Sequence, residues 1–513
     1  MTFQSILFGS ADTRVVEPAD DPPFFSDLNL DQVADVIFAG RESYDLRPFF
    51  RIPLREVDEI AYRHEVLRDL EHEQIFAAIS GFEESMRIIK DALTATAKLY
   101  YSHERERWIL DAAIRYCESV DLLSRALNGL PIASRGLAAL RDYLANYERS
   151  AEFRTLQDDI ASLREKLAAI SYALLIDGDR FTVRDPEGED DLVVAIHETF
   201  ARFRQGATKS YLLTFQERLG MNHIDAKVLE FVALLHPEAF AELDRFAEAH
   251  AAFIDPAIER FDREVQFYLA CFEYAKTFES AGLSMCFPRV TSGKAVSAED
   301  TFDVALAHRL IETHGNVVCN DFALRGPERV FVVSGPNQGG KTTFARTFGQ
   351  LQYLAALGCR VAGRSVTTFL FDAIFTHFEH QEDPSALRGK LEDDILRIHE
   401  ILERATTDSI IVLNEIFAST TVRDASVLGR RIMDRILALD ALCVCVTFID
   451  ELSALSEKTV SMVSLVDPAN PDVRTYKVAR KKADGLAYAV SLAEKYSLTY
   501  DRLTRRLDGR RQS

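Results

Sequence analysis

Gly335-Pro336-Asn337-Gln338-Gly339-Gly340-Lys341-Thr342 combines glycines, a lysine and a hydroxyl at the spacing that binds nucleotide phosphates. The glycines let successive backbone N–H groups converge on phosphate oxygens. Lys341 can reach the β- and γ-phosphates, and Thr342, followed by Thr343, can place its hydroxyl on Mg²⁺. The chemistry implied is binding of ATP or a close relative. A second acidic position is needed for metal and water. It is supplied by Asn414-Glu415, directly after the apolar run Ser409–Leu413. Glu415 is placed to orient or deprotonate water, so Glu415 and Lys341 are the candidate catalytic residues. Asn414 can hydrogen-bond a metal-bound water but adds no charge, so Mg²⁺ should be held less tightly.

These residues need a strand before the loop and a helix after it. Arg329–Ser334 reads as the strand, and a helix opening at Lys341 adds the partial positive charge of its N-terminus. The apolar runs Val330–Ser334, Ile410–Leu413 and Ala441–Thr447 alternate with helical pattern, which predicts an α/β domain over 300–500. Cys443 and Cys445 would share one strand face, as core. A shift to Pro, Thr, Ser, Gly and Lys over Pro288–Ala298 marks a boundary. Before it, residues 46–290 are almost entirely helical in pattern. Residues 1–45 read as an irregular arm leading into one short helix over Leu28–Phe38, and 501–513 as a basic tail.

Within the helical half, Leu156, Ile160, Leu163, Leu167, Ile170 and Leu174 recur at spacings of four and three. That is the seam of a long helix, either buried in a bundle or in a coiled coil. Two short strands follow, Ala173–Ile176 and Arg180–Val183, around the turn Asp177-Gly178-Asp179. With the acidic loop 185–191 they form a small hairpin insertion over about 171–191, and helical pattern resumes at Leu192.

Composition narrows the class. The chain has 513 residues, 47% hydrophobic and 27% charged, which is ordinary for a globular protein with several domains. Lys and Arg number 60 against 80 Asp and Glu, a formal charge of −20, so any DNA contact must come from a local basic patch. The clearest cluster, Arg480-Lys481-Lys482 with Arg505, Arg506, Arg510 and Arg511, reads first as a solvated face and tail. Seven scattered cysteines with no Cys-x-x-Cys pair fit reduced thiols. The N-terminus does not read as a signal peptide and no run is long enough to span a membrane, so a cytoplasmic location is expected.

The loop Gly335–Thr342 resembles the ATPase motif of the MutS mismatch-repair family, in which Pro-Asn and doubled Gly are distinctive. Asn320-Asp321, Phe371–Thr376, Asn414-Glu415-Ile416 with Thr420, Thr421 and Asp424, Thr447 with Glu451-Leu452, and Arg480–Tyr488 resemble further family segments. Ile52–Glu56 and Arg63 resemble the start of its core (lever) domain. The resemblance implies an ABC-type P-loop ATPase domain preceded by a mainly helical core/lever domain. It also implies ATP and Mg²⁺ as cofactors and a dimer (two copies or a paired MutS-like subunit) sandwiching each nucleotide.

The chain departs from the family pattern at several positions. The mismatch-reading domain has no counterpart before the helical core, and Phe82-Glu83-Glu84 sits in a helical run. Gly389-Lys390-Leu391 stands where the family's partner subunit contributes Ser-Thr-Phe. Phe448 replaces the switch His. Val317 stands where an aromatic stacks on adenine and can only pack against the base. Losing one preorganised contact can cost a hundredfold or more in rate, so slow hydrolysis with retained binding is expected. The leading reading is a DNA-associated dimeric ATPase in repair or recombination that does not read mismatches directly. The alternative is a nucleotide-gated protein-interaction switch that does not bind DNA.

Overall fold

The computed structural model describes residues 3–9, 20–178, 180–188, 221–379, 389–417, 420–467, 469 and 473–483. Asp179, the end of the acidic loop, the helical pattern from Leu192, Tyr488 and the basic tail lie outside them. The chain divides into two compact units. One holds residues 1–3, 69–133 and 137–262; the other holds 4–68, 134–136 and 263–513. These limits do not follow the 46–290 and 300–500 boundaries read from the sequence.

The first unit is helical. Glu73–Thr96 and Ser102–Gly129 pack against each other. Ile75, Ile79, Phe82, Met86 and Ile89 are buried, an apolar stripe recurring every three or four residues. Phe82 is 3% exposed and its ring lies 5.5 Å from that of Phe261, so the Phe-Glu-Glu letters belong to a core helix.

The helix Ala151–Ala168 is capped by the Ser150 hydroxyl, which accepts from the Phe153 N–H. Leu156, Ile160 and Leu163 are buried, and the helix packs on Ser102–Gly129 and Pro237–Ala249, a bundle arrangement. The seam read from sequence is too long. Ile170 lies past the helix end and Leu174 is exposed on the hairpin Ala173–Asp177/Arg180–Arg184. The apolar letters continue, but the chain turns into strand pairing, with Gly178 at φ +62° in the turn.

One buried pair in this unit has a measurable consequence. The Asp262 carboxylate is fully buried and accepts from Lys90 Nζ at 2.6 Å. Burial, opposed by Lys90, pushes its pKa up to about 6. Because the folded value is raised, the stability this group contributes is present at low pH. It is lost as pH rises through the folded pKa. Wild type is therefore expected to lose stability relative to Asp262→Asn between pH ~4 and ~6, by up to about 1.4 kcal/mol per pH unit. Denaturant melts of both proteins across that range check this; parallel pH profiles would refute it.

The second unit is built on a six-stranded sheet. In chain order its strands are β1 (Val330–Ser334), β2 (Ile374–His377), β3 (Ile410–Asn414), β4 (Leu442–Val446), β5 (Thr459–Val466) and β6 (Arg474–Arg480). The spatial order is β2-β3-β4-β1-β5-β6, with every pair parallel except β5–β6. β1 and β4 are buried throughout, as the central strands of a sheet covered on both faces must be. Cys443 and Cys445 lie on one face of β4 in a shared core, fully buried. Beside this sheet, Arg289–Thr291, Ser365–Phe369, Val296–Thr301 and Asn320–Leu324 form a four-stranded one. The composition shift near Pro288–Ala298 thus falls within strands rather than a linker.

The N-terminal arm is irregular over residues 3–9, yet it is packed into the core. Ile6 and Leu7 are fully buried, and Glu264 accepts from the Ser5 hydroxyl and the Ile6 N–H at 2.9 Å. Phe24–Asp27 and Leu30–Ile37 are helical. Residues 27–54 line the helix Lys341–Ala356. Arg346 donates to Asp27 O, Gln350 to Leu28 O and Tyr353 to Phe50 O, and the Leu54 N–H to Ala356 O. Fully buried Arg63 donates to Leu7 O at 3.0 Å and Leu357 O at 2.7 Å. The segment Ile52–Arg63 therefore belongs with the sheet.

Candidate nucleotide site

β1 ends at Ser334, residues 335–340 form a loop, and a helix starts at Lys341. The loop is tight. Gly335 has φ +117° and Gly340 φ +92°, backbone open to glycine at little cost, and Gln338 adopts φ +59°. A Cβ on Gly335 would lie 2.9 Å from Ser464 O, and one on Gly339 would lie 2.2 Å from Ser464 Oγ. Ser464, buried on β5, donates its hydroxyl to Gly339 O at 2.6 Å and holds the loop against the neighbouring strand.

Lys341 is 6% exposed and curls back over the loop. Its Nζ donates to Gly335 O (3.0 Å), Pro336 O (3.2 Å) and Asn337 Oδ1 (3.2 Å). Glu415 Oε1 stands 3.7 Å from the same nitrogen. Burial lowers the Lys341 pKa and Glu415 opposes that shift. Glu415 sits just past β3 at φ +54°, held by its N–H bond to Val446 O on β4. That uncommon backbone turns its carboxylate into the loop. The Thr342 hydroxyl donates to Asn414 Oδ1 at 2.9 Å, joining the two segments picked from the sequence. Thr343 is half-buried, and its carbonyl accepts from the Thr347 hydroxyl.

Other sequence candidates fall elsewhere or do something else. Val317 lies in a stretch without regular structure between the helix Val304–Glu312 and the strand Asn320–Leu324, partly exposed. Asn320 bonds β6: its amide donates to Tyr476 O at 3.3 Å, and its Oδ1 accepts from the Val478 N–H at 2.7 Å. Thr447 is buried, while Phe448 next to it is 47% exposed. Gly389 is the N-cap of the helix Lys390–Arg404, and Lys390 pairs with Glu379.

Three site neighbours were not singled out from the sequence. Ser464 pins the loop. Arg474 on β6 donates to Asn337 O at 3.3 Å. Tyr476, at φ +58° and 53% exposed, places its backbone O 3.5 Å from a Cβ built on Gly340. Only the fold of β5 and β6 beside β1 brings them here; their local sequence carries no motif.

Residues 331–500 match the family model MutS domain V. The chain is MutS-like. It is similar to the DNA mismatch repair protein MutS of Shouchella clausii (strain KSM-K16), 26% identical over 273 residues, 52% of this chain and 30% of that protein. It is similar to the Endonuclease MutS2 of Gemmatimonas aurantiaca, 27% identical over 192 residues, 37% of this chain and 23% of that protein. A shorter match, 31% identical over 139 residues, links it to the MutS of Synechococcus sp. (strain CC9605), covering 27% of this chain and 15% of that protein. The matches thus span less than a third of each relative. Among the described residues no helix is long and apolar enough to cross a membrane.

Proposed function

We propose that this MutS-like chain binds ATP with Mg²⁺ at residues 335–343 and hydrolyses it slowly. We further propose that it acts as a DNA-associated dimer in repair or recombination, without reading mismatches directly. The observation carrying the nucleotide part is the cradle itself. Gly335 and Gly339 let the loop close on Ser464 where a Cβ would collide, and Lys341, Thr342, Asn414 and Glu415 converge on it. A nucleotide fits this donor set. Lys341 would exchange its carbonyl partners for phosphate oxygens, and Arg474 would add a second cation at the loop. Thr342 would hold Mg²⁺ directly and Asn414 through water; the ion would neutralise charge on the phosphates. Glu415 would take the water's proton. Tyr476 is the exposed aromatic beside the loop that supplies a stacking face where Val317 offers none.

DNA association is drawn from the similarity to DNA mismatch repair proteins. The absence of mismatch reading is supported by Phe82, buried in a helix where no wedge is available. The second reading, a nucleotide-gated protein switch, is favoured by the formal charge of −20. Binding to duplex, mismatched and branched DNA over a salt series, with and without ATP, separates the two. The first reading expects binding that weakens steeply with salt and shows little preference for the mismatch. No binding at low salt in any nucleotide state would leave only the switch.

A further inference from the structure

A cleft of about 450 Å³ opens beside β2, the edge strand of the main sheet, with β3 and β4 between it and β1. Its walls include Arg55, Arg397, Arg404, Pro53 and the half-buried rings of Phe24 and Phe375. The Arg404 guanidinium lies over the Phe375 ring, 5.5 Å from its centroid. Arg397 makes one long bond to Phe378 O at 3.4 Å, and Arg55 donates to the carbonyls of Phe371 and Asp372. Among the described residues none of these three arginines is ion-paired with a carboxylate. A fourth, Arg51, is paired with Asp21. Two carboxylates also face the cleft. Asp372 is occupied by the hydroxyls of Thr406 and Ser409, and Glu400 is exposed.

This arrangement is unexpected in a chain with 20 more acidic than basic side chains. Like charges gathered at a partly enclosed surface repel one another, and an anion relieves that repulsion. Guanidinium forks bind phosphate oxygens in pairs, with a geometry an ammonium lacks. The aromatic and proline walls suit a flat organic body. The volume lies in the range of small-molecule sites, roughly 300–1,000 Å³, and is too small for duplex DNA or a folded partner.

We infer that this cleft is a second ligand site, separate from the phosphate loop, that binds a mononucleotide-sized organic phosphate. The phosphate lies on Arg397 and Arg404 and the flat body on the aromatic wall.

The test uses the full chain with two probes, 5′-AMP and inorganic phosphate, in equilibrium dialysis or calorimetry. Wild type and Lys341→Met are expected to bind AMP equally, one per chain, because the phosphate loop takes no part. The double variant Arg397→Ala/Arg404→Ala is expected to lose at least about tenfold in affinity, with inorganic phosphate about tenfold weaker than AMP in wild type. Arg404→Lys keeps the charge and removes the fork; it should weaken AMP several-fold with an unchanged melting temperature, and it keeps the test valid if the double variant misfolds. The inference is overturned by any of three results. These are no AMP binding by wild type up to roughly millimolar concentration, AMP binding abolished by Lys341→Met, or AMP binding unaltered in Arg404→Lys and the double variant. Phosphate binding as tightly as AMP would overturn the organic part of the ligand.

Discussion

Glu415→Gln is expected to bind ATP as wild type does while turnover falls by a hundredfold or more. The substitution keeps the size and the polar tip but removes the carboxylate beside Lys341 that we propose takes a proton from water. The backbone should not object. Gln338 holds a comparable positive φ in the same loop, and the bond from the residue 415 N–H to Val446 O does not involve the side chain. Lys341 will lose the opposing charge 3.7 Å away but keep its three carbonyl-type acceptors. Single-turnover hydrolysis alongside ATP retention on the protein separates chemistry from binding. Hydrolysis within about threefold of wild type would remove Glu415 from the mechanism, since loss of a general base costs about a hundredfold at least. The same variant tests the composite site, because ATP it cannot hydrolyse should hold two subunits together. Sedimentation with ATP that leaves both wild type and variant unchanged in size would refute the dimer.

Gly335→Ala is expected to disable nucleotide binding and to destabilise the unit around the main sheet. Two costs add. At φ +117° an alanine is strained by about 1–3 kcal/mol. Its Cβ would also press on Ser464 O at 2.9 Å and Ser464 N at 3.1 Å, backbone atoms locked into β5. A flexible side chain could swing aside; a strand paired on both edges cannot. The loop must therefore move, and with it the carbonyls of Gly335 and Pro336 that orient Lys341. We expect ATP affinity to drop by more than about tenfold and the melting temperature to fall by several degrees. Gly81→Ala, in the helix Glu73–Thr96, is the matched control. Among the described residues nothing lies within 4 Å of a Cβ there, so it should leave ATP binding unchanged. Wild-type affinity and melting in Gly335→Ala would mean the loop is looser than its contacts indicate.

How much of this was legible beforehand can be followed residue by residue. The loop, its strand and its helix could be read from adjacent letters because phosphate cradles are local: consecutive N–H groups, one lysine, one hydroxyl. Asn414-Glu415 could be read because a buried parallel strand is an apolar run that must end in something polar. The hairpin could be read from its Asp-Gly turn. The seam through Leu174 misled because spacing records only which letters are apolar, and Ala173 onward pairs as strand instead.

The burial of the N-terminal arm escapes a reading of the sequence for a related reason. Ile6, Leu7 and Leu28 show no long periodicity, yet they are buried because Glu264, Arg63 and the helix Lys341–Ala356 offer partners far away in the chain. Burial created by a distant surface leaves no local pattern.

The same division holds at the nucleotide site. Sequence alone picked out the residues that we propose grip phosphate, since that chemistry lies within one turn of the chain. Tertiary structure decided what surrounds them. Ser464, Arg474 and Tyr476 reach the loop only because β5 pairs with β1 and β6 pairs with β5. Glu415 reaches Lys341 only because its backbone is tied to β4 in a left-handed turn. Sheet order is set by how whole faces bury one another, a property of the assembled strands and of no single segment.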